Sequence, residues 1–258
     1  MLCTICKIII HYSFIIIHQI LANSYFQFKQ FRVEQDKCAM KVCTDSCLFG
    51  AVVDVANAER ILDIGAGTGL LSLMVAQRSE ASIDAVEINP EAQQQATQNF
   101  ADSPWAERLH LHPESLQEFA KHNQQNYDVI LSNPPFFVSS LKSPDAAINA
   151  ARHVEEAFFG EILRFSQKHL TSNGKLYLLL PPPEAALFQK LASRHDLYLA
   201  DSLEVYTKIN GKCIRHIQTY TFQSTVLPTK SSIAIRETDG VTYTSEFVQL
   251  LKAYYLIF

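Results

Sequence analysis

Between Arg60 and Pro181 the chain repeats one unit, an apolar run that stops abruptly and then gives way to an amphipathic stretch. "RILDIG", "ASIDAVEIN", "RLHLH", "YDVILSN" and "GKLYLLLP" read as strands, and "GLLSLMVAQR", "PEAQQQATQNF", "ESLQEFAKH" and "VEEAFFGEILRFSQKHL" as the helices between them. Strands that alternate with helices cannot pair as hairpins, so the pattern predicts a mostly parallel sheet covered on both faces. The ending differs. After the helix "EAALFQKLASRH", the strands "LYLADSLEVYTKI" and "CIRHIQTYTF" succeed each other across "NGK", and Asn210-Gly211 is a strong hairpin signal. A parallel α/β sheet that closes on an antiparallel hairpin points away from a plain dinucleotide dehydrogenase.

Upstream, "YFQFKQFRVEQ" alternates like a hairpin or edge strands, and "SCLFGAVVDVA", Ser46 to Ala56, suggests a short helix packed on the sheet. The tail "TYTSEFVQLLKAYYLIF" reads as a terminal helix. The first 21 residues are apolar but interrupted by Lys7, His11 and His18, which leaves no continuous span of the roughly 20 apolar residues a bilayer crossing needs. They also lack a clean signal cleavage site. The expected division is an atypical extension over residues 1–24, an N-terminal cover and cofactor lid over 25–56, and a catalytic domain over 57–258.

With 258 residues, 48% of them hydrophobic and 19% charged, the chain can bury a large core, which excludes general disorder. Its net charge of -4 gives no global attraction for nucleic acid, so such a partner needs a local patch. Lys29, Arg32, Lys37 and Lys41 form one candidate; Arg152 with His153, and Lys212 with Arg215 and His216, form two smaller ones. The six cysteines do not make a disulfide framework, and reduced thiols are expected.

"LDIGAGTGLL" sets Gly65, Gly67 and Gly69 at the turn from the first parallel strand into its helix, where the backbone can turn sharply and approach a ligand closely. A glycine loop alone is shared by nicotinamide and flavin sites. Two acids accompany it. Asp63 is placed to act on the loop or on a positively charged amino-acid moiety; the alternative is an acid that only fixes the loop. Glu87, ending the next strand in "DAVEIN", is placed to accept both hydroxyls of a ribose, or is a strand cap. Glu114 and Ser115, in "LHLHPESLQ", can meet the exocyclic amine of an adenine, or can cap the next helix.

The strand "DVILS" ends in "NPPF". Hydride transfer has no use for that ending, whereas methyl transfer to a planar nitrogen does. An amino nitrogen conjugated with a ring is a poor nucleophile until its hydrogens are drawn out of the ring plane. The Asn133 side-chain oxygen and the Pro134 carbonyl can accept those two hydrogens. Pro134 and Pro135 stiffen the segment that holds them, and Phe136 can stack on the base, a contact worth about 1–3 kcal/mol. No metal or covalent nucleophile is implied. A base from folded RNA must leave its stack to enter, so a positive surface is needed nearby. The segment from Pro134 to about Ala151, read as a loop, with Lys142, Arg152 and His153 would form one wall, and Lys37 with Lys41 another.

Together "LDIGAGTG", "VEIN" and "NPPF" resemble the class I methyltransferases, which use S-adenosylmethionine and have a Rossmann-like seven-stranded sheet. "FKQFRVEQDKCAMKVCTDSCLFGA", "SPWAERLHLH" and "YTSEFVQLLKAYYLIF" resemble, more narrowly, the bacterial tRNA1(Val) adenine(37)-N6-methyltransferase family, over about Tyr25 to Phe258. The resemblance implies methylation of the adenine beside the anticodon of one valine tRNA, in the cytoplasm, by a monomer with no stable membrane or protein partner. It assigns Asp63 and Gly65, Gly67 and Gly69 to the methionine end of the cofactor, Glu87 to its ribose, and Asn133 to Phe136 to the target base. The acid that meets the cofactor adenine falls at Ser115, with Glu114 its substitute. Thr44 and Asp45 correspond to the Thr-Asp of the family's Lys-Val-Gly-Thr-Asp-Gly segment and would cover the cofactor. Cys43 and Ser46 replace its two glycines, and a positive φ at either would strain the lid. Methyltransferases for guanine N2 of ribosomal RNA or glutamine N5 of release factors carry related motifs, and a cofactor-binding RNA-interaction protein without turnover is a reading of another class.

Overall fold

The computed structural model describes residues 24–37, 41–135, 144–224 and 227–258, with the backbone alone for 144–152. The expectations for the extension, for Cys3, Cys6 and Cys38, and for Phe136 and Lys142 fall outside those residues. An antiparallel hairpin, β1 (Tyr25–Gln27) and β2 (Arg32–Glu34), precedes helix α1 (Thr44–Val52). Then come β3 (Arg60–Ile64), α2 (Leu70–Ala76), β4 (Ser82–Val86), α3 (Pro90–Ala101), β5 (Leu109–His112), α4 (Leu116–His122), β6 (Tyr127–Ser132) and α5 (Pro144–His169). The chain finishes with β7 (Leu170–Leu180), α6 (Pro182–Ala192), β8 (Tyr198–Lys208), β9 (Cys213–Thr221), β10 (Thr229–Arg236) and α7 (Ser245–Leu251).

Strands β3 to β10 form one sheet in the order β10-β8-β9-β7-β6-β3-β4-β5. All pairs from β5 to β7 are parallel, and β9 runs antiparallel to both β7 and β8. The mostly parallel sheet with an antiparallel C-terminal hairpin is therefore present. An eighth strand, β10, adds to the seven expected, lying parallel to β8 at the edge. Its first half, Thr229 to Ser232, is exposed and polar, so it lacks the apolar alternation that marks a strand in sequence. In the hairpin turn Asn210 takes a left-handed φ of 58°, and the Gly211 N–H donates to Lys208 O at 2.8 Å.

Alternate residues of the strands serve two cores. Ile61, Ile83, Val129, Leu131 and Leu179 meet α1, α2, α3 and α7 on one face; Leu62, Ile64, Ile130, Leu176 and Leu178 meet α4, α5 and α6 on the other.

Three boundaries differ from the sequence reading. Helix α1 starts at Thr44 and stops at Val52, where Arg78 Nη2 takes the Gly50 and Val53 carbonyls at 2.7 Å each. The terminal helix ends at Leu251 because the last residues, Lys252 to Phe258, are held by the β1–β2 hairpin: Lys29 N donates to Tyr254 O, and Lys29 Nζ to the Lys252 and Phe258 carbonyls. Helix α5 starts at Pro144, which places Arg152 and His153 on a helix instead of a loop. Proline suits a first helical turn, and the alanine-rich run behind it is a good helix former.

Candidate functional site at the C-terminal edge of the sheet

β3 lies between β4 and β6, the point where strand order reverses, and in open α/β sheets ligands bind beyond the C-terminal strand ends at such a point. Register brings three sequence-distant segments to that edge. Ile64 pairs with Val86 and with Ser132, so the glycine loop, Glu87 and Asn133 each begin one residue beyond a paired strand end. The Ser132 hydroxyl, fully buried, donates to Ile64 O at 2.7 Å and ties the end of β6 to that of β3.

Gly65, Gly67 and Gly69 all adopt positive φ, at 73°, 57° and 81°. Their purposes separate. A Cβ on Gly65 or Gly67 would meet nothing within 4 Å, so these two face open space, whereas one on Gly69 would sit 2.3 Å from the Phe100 ring. Gly69→Ala is expected to destabilise the protein by about 2–4 kcal/mol, from left-handed strain plus overpacking against a buried ring. Gly67→Ala carries only the backbone strain. Urea unfolding of the two variants checks this, and equal losses would refute the distinction.

Glu87 is 8% exposed, and each carboxylate oxygen already holds a backbone N–H: Oε2 accepts from Gly67 and Oε1 from Asn89, both at 2.8 Å. A carboxylate has about four acceptor positions, so each oxygen can accept once more. Asp63 is fully buried. Its Oδ2 accepts from Ser72 N at 3.1 Å and Ser72 Oγ at 2.7 Å, while Oδ1 has no hydrogen-bond partner among the described residues. Burial pushes its carboxyl up to about 7 against the two Ser72 bonds, and the Glu87 charge adds to the rise. Ile88, directly after Glu87, is 68% exposed, an apolar side chain at the same edge that no motif in the sequence singles out.

Asn133 and Pro134 come directly after β6, with Pro134 buried and Pro135 exposed. Asn133 Nδ2 donates to Ser46 Oγ at 3.0 Å. Ser46 Oγ also lies 2.9 Å from Cys43 Sγ. Both family-glycine positions are thus occupied by side chains in contact with the Asn133 amide or one step from it. Neither position has the positive φ that would strain the lid: Cys43 has φ -127° as the N-cap of α1, and Ser46 lies within the helix. Burial, with the negative charge of the Asp45 carboxylate beside it, pushes the Cys43 thiol up to about 11. Asp45 is held by Arg215, Nε to Oδ2 at 3.0 Å. Thr44 and Asp45 line a cavity of about 480 Å³ together with Ile214, Ile235, Lys208 and Arg236.

Ser115 is the N-cap of α4, accepting from Glu118 N at 3.2 Å, and Glu114 pairs with His122 Nε2 at 2.9 Å. Both therefore have local structural work beside any contact with an adenine. Lys37 reaches α3 through Gln94 and Gln95, Lys41 Nζ donates to Gln35 O, and His153 is exposed on α5. The side chain of Arg152 falls outside the described residues. Asn99 is a further contributor missed in sequence: 2% exposed, it bonds Thr68 O in the glycine loop and the Glu34 backbone in β2.

Residues 38–184 match the model of the methyltransferase small domain family. The chain is 44% identical over 92% of its length to a tRNA1(Val) (adenine(37)-N6)-methyltransferase of Cytophaga hutchinsonii, covering 99% of that protein. It is 39% identical to the protein of the same name from Bacteroides fragilis, again over 92% of this chain and 99% of that one.

The chain belongs to the tRNA1(Val) (adenine(37)-N6)-methyltransferase family.

Among solved structures, a predicted O-methyltransferase from Agrobacterium tumefaciens aligns at a TM-score of 0.62 and 18% identity, over 81% of this chain and 96% of that one. A methyltransferase from Pyrococcus furiosus aligns at 0.55 and 16%, over 86% of this chain and 100% of that one. At those identities the likeness concerns the fold. Among the described residues no helix is long and apolar enough to cross a membrane.

Proposed function

We propose that this protein transfers the methyl group of S-adenosyl-L-methionine to the N6 amino group of adenine 37 in tRNA1(Val), next to the anticodon. The observation that carries the reading is the end of β6, where Asn133 and Pro134 stand one strand away from the glycine loop, in a chain related over 92% of its length to proteins of that name.

The residues present fit the cofactor. Gly65 and Gly67 leave room for close approach, Glu87 retains acceptor capacity for two ribose hydroxyls, and the buried Asp63 carboxyl suits a nearby ammonium. Ile88 is apolar and exposed beside Glu87, as the face of a planar base requires. When bound, the cofactor supplies an electrophilic sulfonium methyl. The task of the protein is to make a conjugated amine nucleophilic. Asn133 Oδ1 and the Pro134 carbonyl accept the two amino hydrogens, favouring a pyramidal nitrogen whose lone pair points at the methyl group. Pro135 stiffens the segment, and Phe136 stacks on the base. Thr44 and Asp45 close over the cofactor, and Glu114 or Ser115 meets its adenine.

Lys37, Lys41, Arg152 and His153 are assigned to the RNA backbone. Residues 25–56 act as cover to a catalytic domain of 57–258, with 1–24 an extension. The protein works in the cytoplasm as a monomer.

The test uses labelled S-adenosylmethionine with total tRNA lacking the modification. Label is expected in tRNA1(Val), at adenine 37. Label in ribosomal RNA or release factor, with none in that tRNA, would overturn the assignment.

A further inference from the structure

An asparagine amide has an acceptor end and a donor end of nearly equal shape, and its terminal torsion is broad. A catalytic role that needs Oδ1 toward a substrate amine therefore needs something to hold the other end. If the amide turned over, its NH2 would face another NH2 and the geometry would oppose the reaction.

We infer that Ser46 is a positioning residue for Asn133, with Cys43 beside it as the acceptor of its hydroxyl proton. A serine hydroxyl alone does not choose, because it can donate to Oδ1 as readily as it accepts from Nδ2. A neighbouring acceptor resolves the choice. Cys43 Sγ lies 2.9 Å from Ser46 Oγ, placed to take its hydroxyl proton. The Ser46 proton then goes to sulfur, and its lone pairs accept from Asn133 Nδ2 at 3.0 Å. The donors then run one way, from Asn133 to Ser46 to Cys43. At 4% exposure Ser46 is shielded from bulk water that would compete for the same groups. Cys43 and Ser46 thus act together, and both stand where the family segment has glycine.

The inference rests on the catalytic role proposed for Asn133, and a double-mutant cycle separates the two. The measurements are kcat, KM for S-adenosylmethionine and KM for unmodified tRNA1(Val), with Ser46→Ala, Asn133→Ala and the double variant. Ser46→Ala is expected to lower kcat about tenfold, the size of one net hydrogen bond, with both KM values unchanged within about twofold. On the Asn133→Ala background it should cost nothing further. Cys43→Ala frees the Ser46 proton and should lower kcat about threefold in the wild-type background but not beside Ser46→Ala. Cys43→Ser, which still donates and accepts, should restore the rate, a result that also covers a poorly folding Ser46 variant. The inference is overturned if Ser46→Ala leaves kcat intact while Asn133→Ala depresses it, or if Ser46→Ala costs the same in both backgrounds. If Asn133→Ala itself turns over like the wild type, the catalytic reading fails first and takes this one with it.

Discussion

Asn133→Ala is expected to lower the rate of methyl transfer to tRNA1(Val) by roughly 100-fold or more, while S-adenosylmethionine binds within about twofold of the wild-type affinity. The size comes from the work of the side chain. A preorganised polar group aimed at a reacting centre costs no reorganisation during the reaction, and removal of one such group from an enclosed site typically costs about two to three orders of magnitude. The selectivity comes from placement. Glu87 and the glycine loop are held by their own contacts, Gly67 N to Glu87 Oε2 and Gly65 N to Val86 O, both at 2.8 Å, and neither passes through Asn133. Rapid-quench turnover and equilibrium cofactor binding on the same preparation decide the matter. Parallel loss of rate and affinity would mean that the residue holds the fold of the site and does not act on the base.

The second large effect concerns pH. Asp63 titrates at about 7 in the folded protein, chiefly because it is buried, whereas a carboxyl of its kind in an unfolded chain titrates near about 3.9. Between those values the folded state keeps a proton that the unfolded state has lost. Stability therefore falls as pH rises from about 4 to about 7, and the full loss, on the order of 4 kcal/mol from this one group, persists above pH 7. Asp63→Asn keeps a neutral acceptor for Ser72 and removes the titration. Urea unfolding of the two proteins from about pH 4.5 to about 8 should diverge, the wild type losing stability relative to the variant. Curves that stay parallel would refute the assignment. Cofactor binding gives the functional counterpart. In the proposed binding mode the cofactor ammonium lies beside Asp63 and favours its ionised form, so cofactor affinity should rise with pH up to about 7 and level off above, and Asp63→Asn should lose both the rise and much of the affinity.

Gly69→Ala and Gly67→Ala bear on the same loop from another side. Three glycines at alternate positions look alike in sequence, yet Gly69 is required by the Phe100 ring and the other two by the space they leave. The spacing predicted the loop; the ring that singles out Gly69 came from α3, the next helix along the chain.

Much of the molecule was legible because it is encoded locally. Apolar runs of the right length alternating with amphipathic helices specify a parallel sheet, and the glycine loop after its first strand and Asn133 after the strand from Tyr127 to Ser132 fall at one edge of it. The errors fell where a distant partner overrides local preference. The C-terminal tail has the apolar content of a longer helix, but the hairpin at Lys29 captures its carbonyls. Strand β10 has little pattern because half of it lies on an exposed edge.

By itself, then, the sequence determined the fold class through the spacing of its strands and helices, and the family through the segments it shares with it, and it offered the positions proposed for methyl transfer. Only the tertiary structure decided how those positions are held. It placed Ser46 against Asn133 from 87 residues away, set Cys43 in an extended conformation at the start of α1, gave Ser115 to the start of α4, and buried Asp63 deeply enough to move its titration toward neutrality. Hydrogen-bond direction and desolvation depend on what surrounds a side chain in three dimensions, and no local pattern of residues records that.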